Sequence, residues 1–249
     1  MTGPTGHGST WPQIASWYDV LVDRGSGPHE TAIGCLLHLL PDVRGSTVVD
    51  VACGTGIAAR AVARAGAAHV MGVDLAEPML ELARRRTEST LPITYVPGDA
   101  QRLGALADAS IDGAVCQLGL MDIADLPATL RSVRRVLRPH GWFAFVVSHP
   151  CYLSPHAETL TVEHRLGRLL TEYFAEGFWR STNPDGVRGK VGGYHRTLAT
   201  YLNALVGAGF VLEQAHEPVA NARLAEEQPV YRQVPIFFAA RARSTAAAG

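Results

Sequence analysis

A doubly wound α/β domain is the fold predicted for this chain, and three observations predict it. Between Gly45 and Ser148 short β-branched runs alternate with amphipathic stretches, the first of these runs passes into a glycine turn, and the chain carries no internal repeat. Alternation of this kind builds a parallel sheet, because right-handed crossovers leave a helix on one face or the other after each strand. At 249 residues one domain suffices, since α/β folds of this length are commonly single.

The elements follow in order. Residues 1–10, rich in Gly, Thr and Ser, are expected to be disordered. Trp11 to Val22 and His29 to Leu40 place apolar residues at helical spacing, and Pro41 stops the second; these two helices are expected outside any sheet. Strand Thr47 to Val51, helix Ile57 to Ala65, strand His69 to Val73, helix Pro78 to Arg86 and strand Ile93 to Val96 form a βαβαβ run. A strand at Ile111 to Gln117, a helix at Leu126 to Leu137 ended by Pro139 and a strand at Trp142 to Ser148 continue it. Pro150 to Gly193 then breaks the rhythm with Pro, Gly, His and aromatics. Its length exceeds the about 12 to 15 residues of an unstructured connection, which predicts a lid or substrate-facing insertion. A helix at Thr197 to Ala208 and strands at Phe210 to Ala215 and Val234 to Ala240 complete the pattern.

The chemistry concentrates where strands end. Val48 to Gly56, VVDVACGTG, runs a buried strand into a turn with two glycines and then a helix whose free N–H groups face the crevice. Asp74 ends the second strand, 20 positions past Gly54, where a carboxylate can accept from both ribose hydroxyls of an adenosine. To this point a nicotinamide dinucleotide fits as well, since Gly54, Gly56 and Ala59 match G-x-G-x-x-A. Asp50, inside the end of the first strand, and the third strand's closing Pro97-Gly98-Asp99-Ala100 do not belong to that fingerprint. An Asp in the third position can take the exocyclic amine of adenine, as a nucleoside lying across three strand ends requires.

VVDVACGTG, MGVDLAEPML, YVPGDAQRL and LRPHGWFAF, in this order, resemble the class I methyltransferases that use S-adenosylmethionine, in particular the small-molecule branch of methyltransferase types 11 and 25. The resemblance is close from Thr47 to Ser148 and looser beyond the insertion. It implies a Rossmann-like sheet of seven strands with the last antiparallel. It also implies Asp50, Ala52, Gly54, Thr55 and Gly56 near the cofactor's methionine part, Asp74 on the ribose, and Gly98, Asp99 and Ala100 at the adenine. Leu75 and Met79 would pack against the adenine ring, with plain core packing as the competing reading. Gln117 at the fourth strand end and Tyr18, in an opening helix like the family's, complete the cofactor set. Ala52 departs from the pattern, which often has Gly there and so a freer turn. The implied layout is one methyltransferase domain, with cap helices at 11–44, a cofactor-binding core at 45–149, a lid at 150–193 and the end of the core at 194–241.

Methyl transfer from a sulfonium asks the enzyme mainly to align a nucleophile with the methyl carbon and exclude water. Where the acceptor loses a proton, histidine suits the task near neutral pH. His149, just past the fifth strand, and His195, beside Tyr194 where the insertion returns, are the candidates, each with a hydrogen-bonded structural role as the alternative. Tyr152, Tyr173, Phe178 and Trp179 could form an aromatic cap suited to a planar or apolar acceptor, or simply the lid's own core.

Charge narrows the partners. With 22 Lys plus Arg against 23 Asp plus Glu there is no field for a polyanion, and the Arg84-Arg85-Arg86 run reads as a solvated helix end. No Asn-Pro-Pro-Tyr type motif follows the fourth strand, where Gln117 to Asp122 reads QLGLMD, which weighs against nucleic-acid bases and peptide glutamines. The expected partner is a small molecule, with no nucleic acid, no membrane and no metal, the chain acting as monomer or homodimer. Cys35, Cys53, Cys116 and Cys151 lack CxxC spacing and no signal peptide is evident, which places the expectation in a reducing cytoplasm. The leading function is therefore O-, N- or C-methylation of an aromatic or apolar secondary metabolite. The alternatives are an S-adenosylmethionine-binding protein that rearranges its substrate or uses the cofactor structurally, and an NAD-dependent oxidoreductase, which lacks a Tyr-x-x-x-Lys pair here.

Overall fold

The computed structural model describes residues 10–23 and 27–245. Of the expected disordered start at 1–10, residues 1–9 lie outside the described residues, whereas Thr10 is described, in a bend before α1. Two helices, α1 (Trp11–Asp23) and α2 (Gly27–Leu39), precede β1 (Thr47–Val51), α3 (Ile57–Arg64), β2 (His69–Asp74), α4 (Glu77–Arg86) and β3 (Ile93–Pro97). After β4 (Ile111–Gln117), α5 (Leu126–Val136) and β5 (Leu137–Ser148) comes the insertion. It carries a hairpin of β6 (Glu158–Val162) and β7 (Arg165–Leu169), then β8 (Gly177–Trp179), α6 (Val187–Val191) and β9 (Gly193–His195). The chain closes with α7 (Leu198–Gly207), β10 (Phe210–His216), α8 (Ala222–Glu227) and β11 (Phe237–Ser244).

Seven strands form one sheet in the order β10-β11-β5-β4-β1-β2-β3, with β11 antiparallel to both of its neighbours and the β3-to-β5 strands parallel. Helices cover both faces, so the central strands are apolar on both sides, as Val48, Val49 and Val51 show. Strand β5 illustrates the two-sided core. Phe143, Phe145 and Val147 point into the layer of Leu126, Leu130 and Phe210, while Trp142, Ala144 and Val146 point into the layer of Leu36, Leu39 and Val62.

Three expectations need correction. Strand β5 begins at Leu137, five residues early, because the pairing jumps from Ile111↔Leu137 to Gly113↔Trp142 and leaves Pro139 in a bulge. The last strand runs three to four residues later than Val234 to Ala240. Pro229–Arg232 is held in a 3-10 turn, and Arg241 and Arg243 continue the strand by pairing outward with Glu213. Finally, α2 is part of the sheet's covering layer through the fully buried Leu36 and Leu39, whereas α1 sits on α4 through Ala15, Ala76, Met79 and Leu82.

Candidate active site

A cavity of about 400 Å³ opens at the carboxyl ends of β1, β2, β3 and β4, within the range of small-molecule clefts. The turn after β1 forms its floor. Gly54 and Gly56 have φ of 51° and 76°, and Ala52 also adopts φ 54°. Two carboxylates hold this turn from inside. Asp74 Oδ2 accepts the Gly54 N–H at 2.8 Å and Oδ1 that of Ala76 at 2.9 Å, while Asp50 Oδ2 accepts the Ala59 N–H at 2.8 Å. Burial raises both carboxyls above the usual range, Asp50 to about 8. Asp50 Oδ1 and Thr55 Oγ1 are buried with no partner among the described residues. Two unanswered polar atoms beside a glycine turn fit the charged tail of an amino-acid-bearing nucleoside.

The rest of the nucleoside fits equally well. Leu75 stays 67% exposed although apolar, above the buried Met79, and Gly98, Asp99 and Ala100 line the cavity beyond them. Asp99 Oδ1 accepts the backbone N–H of Gln101 at 2.9 Å and is thereby oriented. Of the predicted cofactor set, Tyr18, Asp50, Ala52, Gly54, Thr55, Asp74, Leu75, Met79, Gly98, Asp99, Ala100 and Gln117 all line the cavity. Gly56 does not. It sits behind the turn as the N-cap of α3, where a Cβ would collide with the Tyr95 phenol.

The predicted acid–base residues divide. Tyr194 reaches the cavity wall. His149 lies outside that lining, buried and with both ring nitrogens engaged: Nδ1 accepts the Cys151 N–H at 3.1 Å and Nε2 lies 2.8 Å from Glu217 Oε1. His195 faces a separate void of about 20 Å³, with Nε2 2.8 Å from the Tyr173 carbonyl. His149 thus joins the end of β5 to the segment after β10, and His195 joins β9 to the earlier part of the insertion. The aromatic cap also differs from expectation. Only Phe178 of its four aromatics reaches the main cavity; Tyr152 meets Tyr231 edge to face, Tyr173 meets Phe174 and His195 in the same way, and Trp179 borders the small void.

Helix α1 supplies what the insertion does not. Trp11 and Tyr18 meet edge to face at 5.1 Å, and Tyr18 meets His29 of α2 at 5.5 Å. The Tyr18 hydroxyl lies 2.7 Å from His29 Nε2. Burial lowers the His29 pKa to about 4 and pushes the Tyr18 phenol up, so both are neutral at physiological pH. His29 and Asp122 were missed in the sequence. His29 falls at the start of a helix with no motif around it, and Asp122 follows β4 in a stretch, QLGLMD, that carries no motif of its own. Asp122 forms a partly buried ion pair with Arg188 of α6, Nη2 to Oδ2 being 3.3 Å, and so ties the insertion to the core. Lys190 lies over the Trp17 ring at 4.8 Å, closing α6 onto α1.

Comparison with known proteins agrees with this geometry. The family model described as a methyltransferase domain matches residues 49–145. An S-adenosylmethionine-dependent methyltransferase from Mesorhizobium loti superposes with a TM-score of 0.73 at 31% identity, covering 88% of this chain and 99% of that one. The 2-phytyl-1,4-naphtoquinone methyltransferase of Thermosynechococcus vestitus is 35% identical over 55% of this chain and 63% of its own length. An O-methyltransferase of Aspergillus nomiae is 33% identical over 51% of this chain and 57% of its own. The matched part of this chain thus spans about three-fifths of the length of those two curated relatives. Strand order, glycine turn, the carboxylates at three strand ends and these matches together make the chain a member of the class I S-adenosylmethionine-dependent methyltransferases.

Proposed function

We propose that the chain methylates an oxygen, nitrogen or carbon nucleophile on a small planar aromatic acceptor of secondary metabolism. The observation that carries this reading is the slot above the glycine turn. Trp11, Tyr18 and His29 form one aromatic face, and Phe178 and Tyr194 come to the same cavity from the insertion. Flat apolar walls with few polar groups select planar ligands. The naphtoquinone relative, by its name, acts on an acceptor compatible with such a slot.

Within this reading Asp74 holds the ribose hydroxyls, Asp99 the adenine amine, and Asp50 with the turn amides the methionine tail. The cofactor supplies an electrophilic methyl carbon whose bond to sulfur breaks with its electron pair left on sulfur. The chain's own residues orient the acceptor and keep water out: α1 and α6 close over the cavity through Trp17 and Lys190, and Arg188 fixes α6 against Asp122. The four cysteines are free thiols, which suits a reducing cytoplasmic setting.

Incubation of the purified chain with S-adenosylmethionine and matched panels of hydroxylated naphthalenes, aromatic amines and aliphatic alcohols, read as S-adenosylhomocysteine release, tests the proposal. Turnover is expected with planar aromatics. Turnover confined to the aliphatic panel would refute it.

A further inference from the structure

We propose that Tyr18 and His29 are the acceptor-binding pair of this site, and that the group they take is a hydroxyl of the methyl acceptor. The inference rests on the planar aromatic acceptor proposed above and names the atom by which that acceptor is held. Both side chains line the cavity, and their hydrogen bond of 2.7 Å joins α1 to α2 across its wall. The same cavity is lined by Asp74 at the end of β2 and by Asp122 after β4, so the pair shares one space with the strand-end carboxylate.

The pair is unsatisfied as it stands. Two arrangements satisfy the Tyr18–His29 bond. In one, Tyr18 donates to Nε2 and its oxygen retains a lone pair for the cavity; in the other, Nε2–H donates and the Tyr18 O–H is free. In either, His29 Nδ1 is buried with no partner among the described residues, while the backbone carbonyl of His29 accepts from Gln117 Nε2 at 3.5 Å and steadies the helix start. A hydroxyl is the group that answers both arrangements, because it donates to the Tyr18 oxygen or accepts from the Tyr18 O–H. An ether answers only the second, and a bare ring neither.

The electrostatics favour a neutral partner. A positive imidazolium beside a sulfonium would be repelled, and burial keeps His29 uncharged down to about pH 4. So weak a base does not remove a proton from a resting hydroxyl. It serves when the oxygen–methyl bond is forming, because that oxygen then turns strongly acidic. The acceptor's proton passes to Tyr18 Oη as the proton of Tyr18 passes to His29 Nε2, and the imidazolium returns it to water when the product leaves. One proton is released for each methyl transferred, which balances the loss of the sulfonium charge.

Calorimetry on the protein loaded with S-adenosylhomocysteine, titrated with 1-naphthol and with naphthalene, tests this at equilibrium. The two probes share a ring and differ by the hydroxyl. The wild-type chain is expected to prefer 1-naphthol by about tenfold, the worth of one good hydrogen bond. Tyr18→Phe and His29→Phe are each expected to reduce that preference to about twofold or less, with naphthalene still bound. Tyr18→Phe removes a single atom and carries the test alone if His29→Phe does not fold. A preference unchanged in the variants, or equal binding of both probes to wild type, overturns the proposal and leaves the aromatic-acceptor reading standing. Binding of neither probe overturns that reading and this use of the pair with it.

Discussion

The floor of the cavity and its cap are held by different kinds of contact. On the floor, Asp50 and Asp74 accept backbone N–H groups of Ala59, Gly54 and Ala76, so two strand ends fix the turn through the main chain. In the cap, side chains far apart in sequence meet: Tyr18 with His29, Lys190 with Trp17, and Arg188 with Asp122. Arg196 adds donors to the carbonyls of Leu120, Ile123 and Ala124. A floor tied through backbone amides tolerates little change in its turn, whereas a cap tied through side chains can exchange them one at a time and accommodate a different acceptor.

The largest test of that contrast is Gly56→Ala. Left-handed strain of about 1–2 kcal/mol and overpacking against Tyr95 of about 1–3 kcal/mol predict a loss of about 4 kcal/mol in urea denaturation. A loss below about 1 kcal/mol would mean that the floor yields, contrary to the contrast drawn here. Arg188→Met comes next, with an expected cost of about 2.5 kcal/mol because it leaves the mostly enclosed Asp122 without its charged partner; adding Asp122→Asn should recover most of it. An unaffected single variant would show that the cap is held by something else.

Asp74→Ala should weaken S-adenosylhomocysteine binding by about 2 kcal/mol, roughly 30-fold by calorimetry. Unchanged affinity would take Asp74 out of the site. A smaller effect is expected from Asp50, whose carboxyl is raised from 3.8 to about 8 by burial. The native chain then keeps a proton that the unfolded chain has released, so stability falls as pH rises from about 4 to about 8 and levels off above. Between pH 7 and 8 the fall should be about 1 kcal/mol, and the Asp50→Asn chain should lose that slope in denaturation series at each pH. The smallest is Ala52→Gly, which relieves left-handed strain at φ 54° but loosens the unfolded chain, for a net gain of about 0.5 kcal/mol in the same assay.

How far the sequence carries can be judged from these same residues. Asp50, Gly54, Asp74 and Asp99 were legible because each lies at or within three residues of a strand end, and strand ends are marked by the change from a β-branched run to a turn. Tyr194 was placed on the cavity from its position at the return of the insertion. His149 and His195 had equally suggestive positions, yet their ring nitrogens went to Glu217, the Cys151 amide and the Tyr173 carbonyl. Neighbourhood in sequence does not say which unpaired group a side chain will find.

By itself, then, the sequence determined the doubly wound sheet, the glycine turn and the carboxylates around it, because period, turn chemistry and strand ends are properties of short contiguous segments. Tertiary structure alone decided that His29 meets Tyr18, that Arg188 meets Asp122 66 positions away, and that residues of α1, not most of the insertion's aromatics, line the cavity. Those pairings depend on how separately formed elements settle against one another. No local pattern encodes that settlement, since it is fixed by the burial and charge balance of the whole assembly.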